Sequence, residues 1–243
     1  MAVIKRIVIL ANSIKNSGRC VAGKELVFNR GSWEVGNWVR IVATEEGAEV
    51  PVPLMFAQFG RQPNLLETID IPLESHVPLA DQPENWLLVR NAKWTNRGTL
   101  PPNKLQRLLD YPLKLWGVQT RSVPEGFVQN MAEPASLYFI EPELLDPVRV
   151  WLEDGVNEEG HKNRCCRRIC LRYRRTFHEF NVTDPVLLET CFPIMPKRGD
   201  PILSVPIPSN GPVYVCISLT PVFRGKHYKI AAGFVLPKDS TAE

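Results

Sequence analysis

Hydrophobic and polar residues alternate along most of this chain with the two-residue period of β-strands, not the 3.6-residue period of helices. Twenty-two prolines interrupt the pattern from Pro51 onward. Because proline lacks a backbone N–H and fixes φ, their spacing disfavours long helices. Alternating or β-branched runs predict eight strands, over residues 4–10, 38–42, 66–71, 136–140, 148–152, 167–177, 213–219 and 228–236.

Two short helices are predicted between these runs. The first covers residues 102–110, which follow a Pro-Pro pair and repeat leucine on one face. The second covers Pro185–Cys191, because Asp184 is a suitable N-cap and proline is tolerated at the first helical position.

The second half of the chain has the element order strand, strand, strand, helix, strand, strand, if residues 136–152 form one strand and 178–182 a short third one. This is the order of an OB-fold, a five-stranded Greek-key barrel. OB-folds bind oligonucleotides on their second and third strands and on the loops joining strands 1–2 and 4–5. Here those loops are predicted at residues 154–163 and 220–227.

The predicted second strand concentrates positive charge. Residues 161–177 read HKNRCCRRICLRYRRTF, with seven Lys or Arg and no acidic residue between Lys162 and Arg175. Arg forks match phosphate oxygens and stay charged, so a row of them on a strand is typical of a nucleic-acid surface. Out of phase with Phe177, His178 is expected to continue the basic face. Alternation predicts Ile169, Leu171, Tyr173 and Phe177 on the core face and Arg168, Arg172, Arg174 and Thr176 on the outer face.

The predicted 4–5 loop places an aromatic residue beside basic ones and also contains His227. Single-strand binding uses this combination, since the ring stacks on a base and the cation contacts a phosphate. Trp33 is a further candidate for stacking. The predicted nucleic-acid-binding residues are Arg164, Arg167, Arg168, Arg172 and Arg174 on the strand, with Phe223, Arg224 and Lys226 in the loop.

Charge is also concentrated at the start of the chain. Residues 1–30 carry six basic residues and one acidic residue, although the net charge of the whole chain is only +3. Gly18 to Glu25 match the spacing GxxxxGK of a phosphate-binding loop, but Glu25 replaces the Ser or Thr that holds Mg²⁺. We therefore expect a basic phosphate- or nucleotide-binding loop without hydrolysis, or a purely structural turn. Its predicted residues are Asn12, Ser13, Lys15, Arg19 and Lys24.

The cysteines indicate neither a metal site nor a disulfide framework. His161, Cys165, Cys166 and Cys170 cluster, but without the paired spacing of zinc ligands. Arginine neighbours are expected to lower the pKa of the Cys170 thiol, but no histidine or acid completes a nucleophilic set. No apolar run reaches membrane-spanning length. We expect a cytoplasmic protein with no metal and no cofactor.

Three stretches also resemble a known family. Residues 10–24 (LANSIKNSGRCVAGK), 180–185 (FNVTDP) and 217–229 (ISLTPVFRGKHYK) are similar to segments of the bacterial dual OB-fold domain proteins. The resemblance covers nearly the whole chain except about 44–135. It implies a mainly β fold of two OB-like Greek-key barrels with short helices and a Pro/Trp-rich insertion. The implied domains are residues 1–135, with the insertion at about 44–135, and residues 136–243. The family also implies a nucleic-acid role and frequent company with genome-defence or mobile-element genes, but it provides no catalytic residues.

These patterns favour a non-enzymatic module that binds RNA or single-stranded or structured DNA. One alternative is a small-nucleotide-binding or nucleotide-modifying enzyme that uses residues 12–24. Another is a protein-interaction subunit of a larger assembly, whose acidic body contacts a basic partner.

Overall fold

The computed structural model describes residues 2–15, 18–117, 120–157, 160–197 and 199–236, with the backbone alone for residues 154–164. Within these ranges the chain is mainly β, as the alternation predicts. None of the described helices is long and apolar enough to cross a membrane. The strands form two sheets, and each sheet has OB topology.

The first sheet closes into a five-stranded barrel. Strand β1 pairs antiparallel with β2 and with β5, β2 pairs with β3, β5 pairs with β6, and β3 runs parallel to β6. The circuit β1–β2–β3–β6–β5 is that of an OB-fold, with the helix between the third and fourth barrel strands. Its elements are β1 (Val3–Lys15), β2 (Gly18–Asn29), β3 (Ser32–Val42), β4 (Val50–Pro51), α1 (Val52–Phe59), β5 (Glu67–His76), β6 (Asn85–Leu88) and β7 (Thr95–Thr99).

The second sheet repeats this topology. Strand β12 pairs antiparallel with β11 and β13, β13 runs parallel to β16, β16 pairs with β15, and β15 pairs with β9. The segments β9, β10 and β11 follow one another as an interrupted first barrel strand. Its elements are a 3₁₀ helix (Pro102–Leu108), β8 (Ser122–Pro124), β9 (Leu137–Ile140), β10 (Leu144–Leu145), β11 (Val148–Asn157), β12 (Gly160–Tyr173), β13 (Thr176–Val182), α2 (Pro185–Cys191), β14 (Leu203–Val205), β15 (Tyr214–Leu219) and β16 (Lys226–Val235).

Helix α2 begins as the sequence predicts. Asp184 Oδ1 accepts hydrogen bonds from the backbone N–H groups of Val186, at 2.9 Å, and Leu187, at 3.2 Å. Its other carboxylate oxygen accepts from Phe234 N at 2.7 Å. The N-cap therefore also fixes the helix against β16, and burial raises the pKa of this carboxyl group.

The two barrels are joined by a buried interface. Strand β1 is apolar on both faces because Ile7 and Ile9 lie in the core of the first barrel, whereas Val8 and Leu10 pack against the second. Gly233 of β16 lies so close to β1 that an added Cβ would clash with the carbonyl oxygen of Leu10. The interface cluster also contains Ala22, Leu105, Leu108, Leu137, Phe139, Tyr214, Cys216 and Val235.

The prediction of an insertion at residues 44–135 is wrong for its first half. Strands β5 and β6 pair with β1 and β3, so residues 67–88 complete the first barrel. The 3₁₀ helix then packs between the barrels, and Trp116 is buried in the core of the second one. Pairing between β3 and β6 is distant in sequence, and the local pattern does not show it.

Two predicted loops and one predicted strand also differ from the structure. Residues 18–24 lie within β2, and residues 154–163 belong mainly to the paired strands β11 and β12. The single strand predicted at 167–177 ends at Tyr173, where Arg174 and Arg175 form a turn with φ of 45° and 64°. This turn reverses the phase of the next residues, so Phe177 is exposed and His178 is buried.

Candidate nucleic-acid interface

The outer face of β11, β12 and β13 carries the predicted arginine row. Ile169, Leu171 and Tyr173 of β12 are buried in the barrel core, as predicted. Alternation therefore places Arg168 and Arg172 on the outer face. Arg149 lies directly opposite Arg168 across the β11–β12 pair, and adds a cation that the sequence analysis missed.

A carboxylate at the centre of this face holds three arginines. Glu179 of β13 lies 3.5 Å from Arg168, 3.6 Å from Arg121 and 3.9 Å from Arg149. Further along β12, the Arg172 Nε lies 3.1 Å from a Glu143 carboxylate oxygen. Three cations around one carboxylate leave a net positive charge on this surface. The shared carboxylate also holds the three guanidinium groups in place.

Two aromatic side chains flank these arginines. Trp151 lies opposite Cys166 on the outer face, and the Arg168 guanidinium is 4.8 Å from the centre of the Trp151 ring. Phe177 lies opposite Arg172 and is 42% exposed, so it is a surface residue and not the core residue that alternation predicts. Rings beside cations are the combination that binds single strands.

The other predicted strand residues have different positions. Arg167 lies opposite the fully buried Val150, so it is on the core-facing side, away from Arg168. Arg174 is in the turn at the end of β12, where it donates to the Tyr111 carbonyl at 3.4 Å. The side chain of Arg164 lies outside the described residues.

The predicted 4–5 loop is a tight hairpin turn between β15 and β16. Phe223 and Lys226 exchange backbone hydrogen bonds around Arg224 and Gly225, which have φ of 53° and 70°. Phe223 is 60% exposed, and the Arg224 guanidinium is 5.3 Å from its ring centre. His227 is not part of this surface, because it is fully buried and its Nδ1 is 2.8 Å from the Thr220 carbonyl.

His178 is also not part of the basic surface. It is only 3% exposed, and burial, followed by the charge of Lys229, lowers its pKa to about 4. The prediction that it continues the basic face is wrong because the Arg174–Arg175 turn shifts the register.

The equivalent face of the first barrel is largely covered. Lys24 Nζ donates to Asp110 at 2.6 Å, and Trp38 Nε1 donates to the same carboxylate at 3.0 Å. Arg40 Nη2 donates to the Ser136 hydroxyl at 2.7 Å. Among the described residues, the hairpin tip is exposed, where the rings of Phe28 and Trp33 lie 5.1 Å apart and Arg6 lies over Trp33.

The structure does not form the predicted phosphate-binding loop at residues 12–24, because residues 18–24 lie within β2. Lys24 is buried and ion-paired, and Arg19 Nε donates to Gln62 Oε1 at 2.7 Å. Asn12 donates to the Pro63 carbonyl at 2.8 Å. Gly23 does not bend the chain, but lies so close to β1 that an added Cβ would clash with the Val8 carbonyl oxygen. Ser13 and Lys15 are brought together elsewhere, at a cavity between the barrels.

Cys170 of the cysteine cluster is not an activated thiol. Burial raises the pKa of Cys170, and nearby Asp146 and Glu179 raise it further, which outweighs the effect of Arg149. The expected lowering of this pKa is wrong. Among the described side chains, which exclude that of His161, no three His, Cys, Asp or Glu residues come together as a metal site would require.

Comparison with known proteins agrees with the two-barrel fold. The family model described as the dual OB-containing domain matches residues 5–234, which is nearly all of the chain. No match was found among curated proteins or among solved structures. The chain therefore belongs to the family of the dual OB-containing domain.

Proposed function

We propose that this protein is a non-enzymatic module that binds RNA or single-stranded or structured DNA. One observation carries the proposal: among the described residues, the face formed by the second and third barrel strands is largely covered in the first barrel, whereas in the second barrel it exposes cations and a ring. In the second barrel these two strands carry Arg168, Arg172 and Phe177, and Arg149 and Trp151 lie beside them on β11. OB-folds use this face for oligonucleotides.

The proposed mechanism has two steps. Electrostatic attraction brings the polyanion to the arginine face and releases its counterions. Bases then stack on exposed rings, with Phe177 on the face and Phe223 at the adjoining turn. Neither step needs a base-reading helix, so we expect little sequence preference.

The wider setting is also a proposal. We place the module in the cytoplasm, as a subunit of a larger bacterial defence or nucleic-acid-processing system. The buried thiols of Cys20, Cys191 and Cys216 agree with a reducing compartment. The occurrence of family members beside genome-defence genes supports the proposal that this module belongs to such a system.

Salt dependence of oligonucleotide binding tests the mechanism. We would measure fluorescence anisotropy of labelled RNA and DNA single strands from low to high salt. The combined change of Arg149, Arg168 and Arg172 to alanine should flatten the slope of log K against log salt concentration by about 2, since each single-strand phosphate contact contributes about 0.7.

A matched control separates this face from general loss of charge. Lys104, Arg107 and Arg90 are exposed and do not belong to β11, β12 or β13, so their triple alanine variant removes the same charge from other elements. It should keep the wild-type slope. Equal slopes in the two triple variants, both folded by circular dichroism, would rule out the arginine face.

A further inference from the structure

A cavity of about 440 Å³ lies between the two barrels. The end of β1 contributes Ser13 and Lys15, β3 contributes Arg40, and the turn after β15 contributes Phe223. Its volume falls in the range of small-molecule sites in proteins.

Arg40 is a buried cation beside this cavity, at 3% exposure. Its guanidinium donates to the Cys20 sulfur at 3.1 Å and to the hydroxyls of Ser136 and Ser218 at 2.7 and 3.1 Å. Glu84 reaches it only indirectly, by accepting from the same Ser136 hydroxyl at 2.8 Å. Within the described part of the chain, no carboxylate forms an ion pair with Arg40, so its charge is compensated by neutral groups.

Two buried polar atoms near the cavity lack a hydrogen-bond partner among the described residues. Arg40 Nε and the Ser13 hydroxyl oxygen are buried and have no hydrogen-bond partner among the described residues. Buried polar groups are nearly always paired, and an unpaired buried charge is costly. A second cation, Lys15, lies at the cavity and is 3.6 Å from Glu49. An anionic group bound here would compensate the charge of Arg40.

Another part of the cavity lining is aromatic and apolar. Phe223 and Tyr228 have ring centres 6.4 Å apart, and Val222 and Ile230 lie beside them. A ligand that fits both walls carries a negative charge at one end and a planar ring at the other.

We propose that this cavity binds a nucleotide, with its phosphate towards Arg40 and Lys15 and its base against Phe223 and Tyr228. The nucleotide is either a free mononucleotide or the phosphorylated end of a bound strand. The second source rests on the proposed function. Asn181, which lines the cavity, is directly opposite Arg168 of the arginine face in the β12–β13 pairing.

Calorimetric titration of the full chain with AMP, with adenosine and with inorganic phosphate tests the proposal. AMP should bind at least about tenfold more tightly than adenosine or phosphate alone, because it contacts both walls. Lys15→Gln and Phe223→Ala change partly exposed side chains, and each should weaken AMP binding by about tenfold. Arg40→Gln should weaken it further, and if that variant does not fold, the first two still decide the question.

A second arm identifies the source of the nucleotide. Oligonucleotides with a 5′- or 3′-phosphate are compared with the same strands ending in hydroxyls. Tighter binding of a phosphorylated end, lost in Lys15→Gln, identifies a strand terminus, whereas AMP binding without that preference identifies a free nucleotide. Arg19→Gln is the matched control, since Arg19 is a nearby cation that does not line the cavity.

The two proposals can fail separately. If AMP does not bind and terminal phosphates have no effect, the nucleotide site is wrong. Loss of strand binding in the Arg149, Arg168 and Arg172 variant would then still support the arginine face. Conversely, AMP binding that survives in that variant supports the cavity whatever happens to strand binding.

Discussion

We expect His178 to cause a large part of the fall in the free energy of unfolding as the pH is lowered from 6.5 to 4. This side chain is 3% exposed, and burial with the nearby Lys229 charge lowers its pKa to about 4. In the unfolded chain its pKa returns to about 6.5. Between these two pKa values the imidazole of His178 binds a proton in the unfolded chain but not in the folded chain. A fall in pH therefore favours unfolding.

The magnitude follows from the gap between the two pKa values. At 1.36 kcal/mol per pKa unit, His178 should remove about 3 kcal/mol from the free energy of unfolding between pH 6.5 and pH 4. The stability that the neutral His178 side chain contributes to the folded protein is fully present above pH 6.5. A loss of this size is a large part of the stability of an ordinary domain.

Urea unfolding of the wild type and of His178→Gln, at several pH values from 7.5 to 4, measures this contribution. Glutamine cannot titrate, so the variant should lose about 3 kcal/mol less than the wild type over this interval. Titrating carboxyl groups are common to both proteins and cancel. His76→Gln changes an exposed histidine and should behave as the wild type does. The reasoning fails if wild type and His178→Gln lose stability in parallel as the pH falls.

Three further predictions concern the interface and the cysteines. Gly233→Ala should lower the free energy of unfolding by about 2 kcal/mol, since its Cβ would clash with the Leu10 carbonyl oxygen; Gly36→Ala, whose nearest contact would be a side-chain carbon at 3.2 Å, is the control in the same urea assay. Asp110→Asn should cost about 3 kcal/mol by leaving the buried Lys24 ammonium without its carboxylate, and a small loss in Asp110→Asn beside a large one in Asp110→Ala would instead indicate lost packing. Cys170 should react with a thiol reagent at pH 8 far more slowly in the folded than in the urea-unfolded protein, and equal rates would show that its pKa is not raised.

Local signals made some of these features predictable. The Asp184 cap and Pro185 define the start of α2 within a few residues, so the sequence predicts both correctly. Alternation in β12 likewise predicts the core positions Ile169 and Leu171, because one side of the strand is buried and the other is not.

The errors arise where the structure depends on distant contacts or on an unusual turn. Arg174 and Arg175 both have positive φ, a conformation usually signalled by glycine or asparagine, and neither residue occurs there. The phase change that exposes Phe177 is therefore not visible in the pattern. Gly23 resembles part of a phosphate-binding loop, but its role is close packing against Val8 of a neighbouring strand.

The interface between the barrels covers the OB face of the first barrel. It also buries two cations whose charges are compensated in different ways. Covering the face of the first barrel places Lys24 and Arg40 inside the protein. Lys24 is neutralised there by Asp110.

If the interface were purely structural, Arg40 would be expected to have a carboxylate partner as well, or to be replaced by an apolar residue of similar volume, because a buried charge without a carboxylate costs stability. Among the described residues, the Arg40 guanidinium instead donates to two hydroxyls and a thiol sulfur, beside a cavity that is also lined by aromatic rings. Its charge is therefore better explained by an anionic ligand than by the interface alone, and a nucleotide that raises the melting temperature of the wild type but not of Lys15→Gln would distinguish the two explanations.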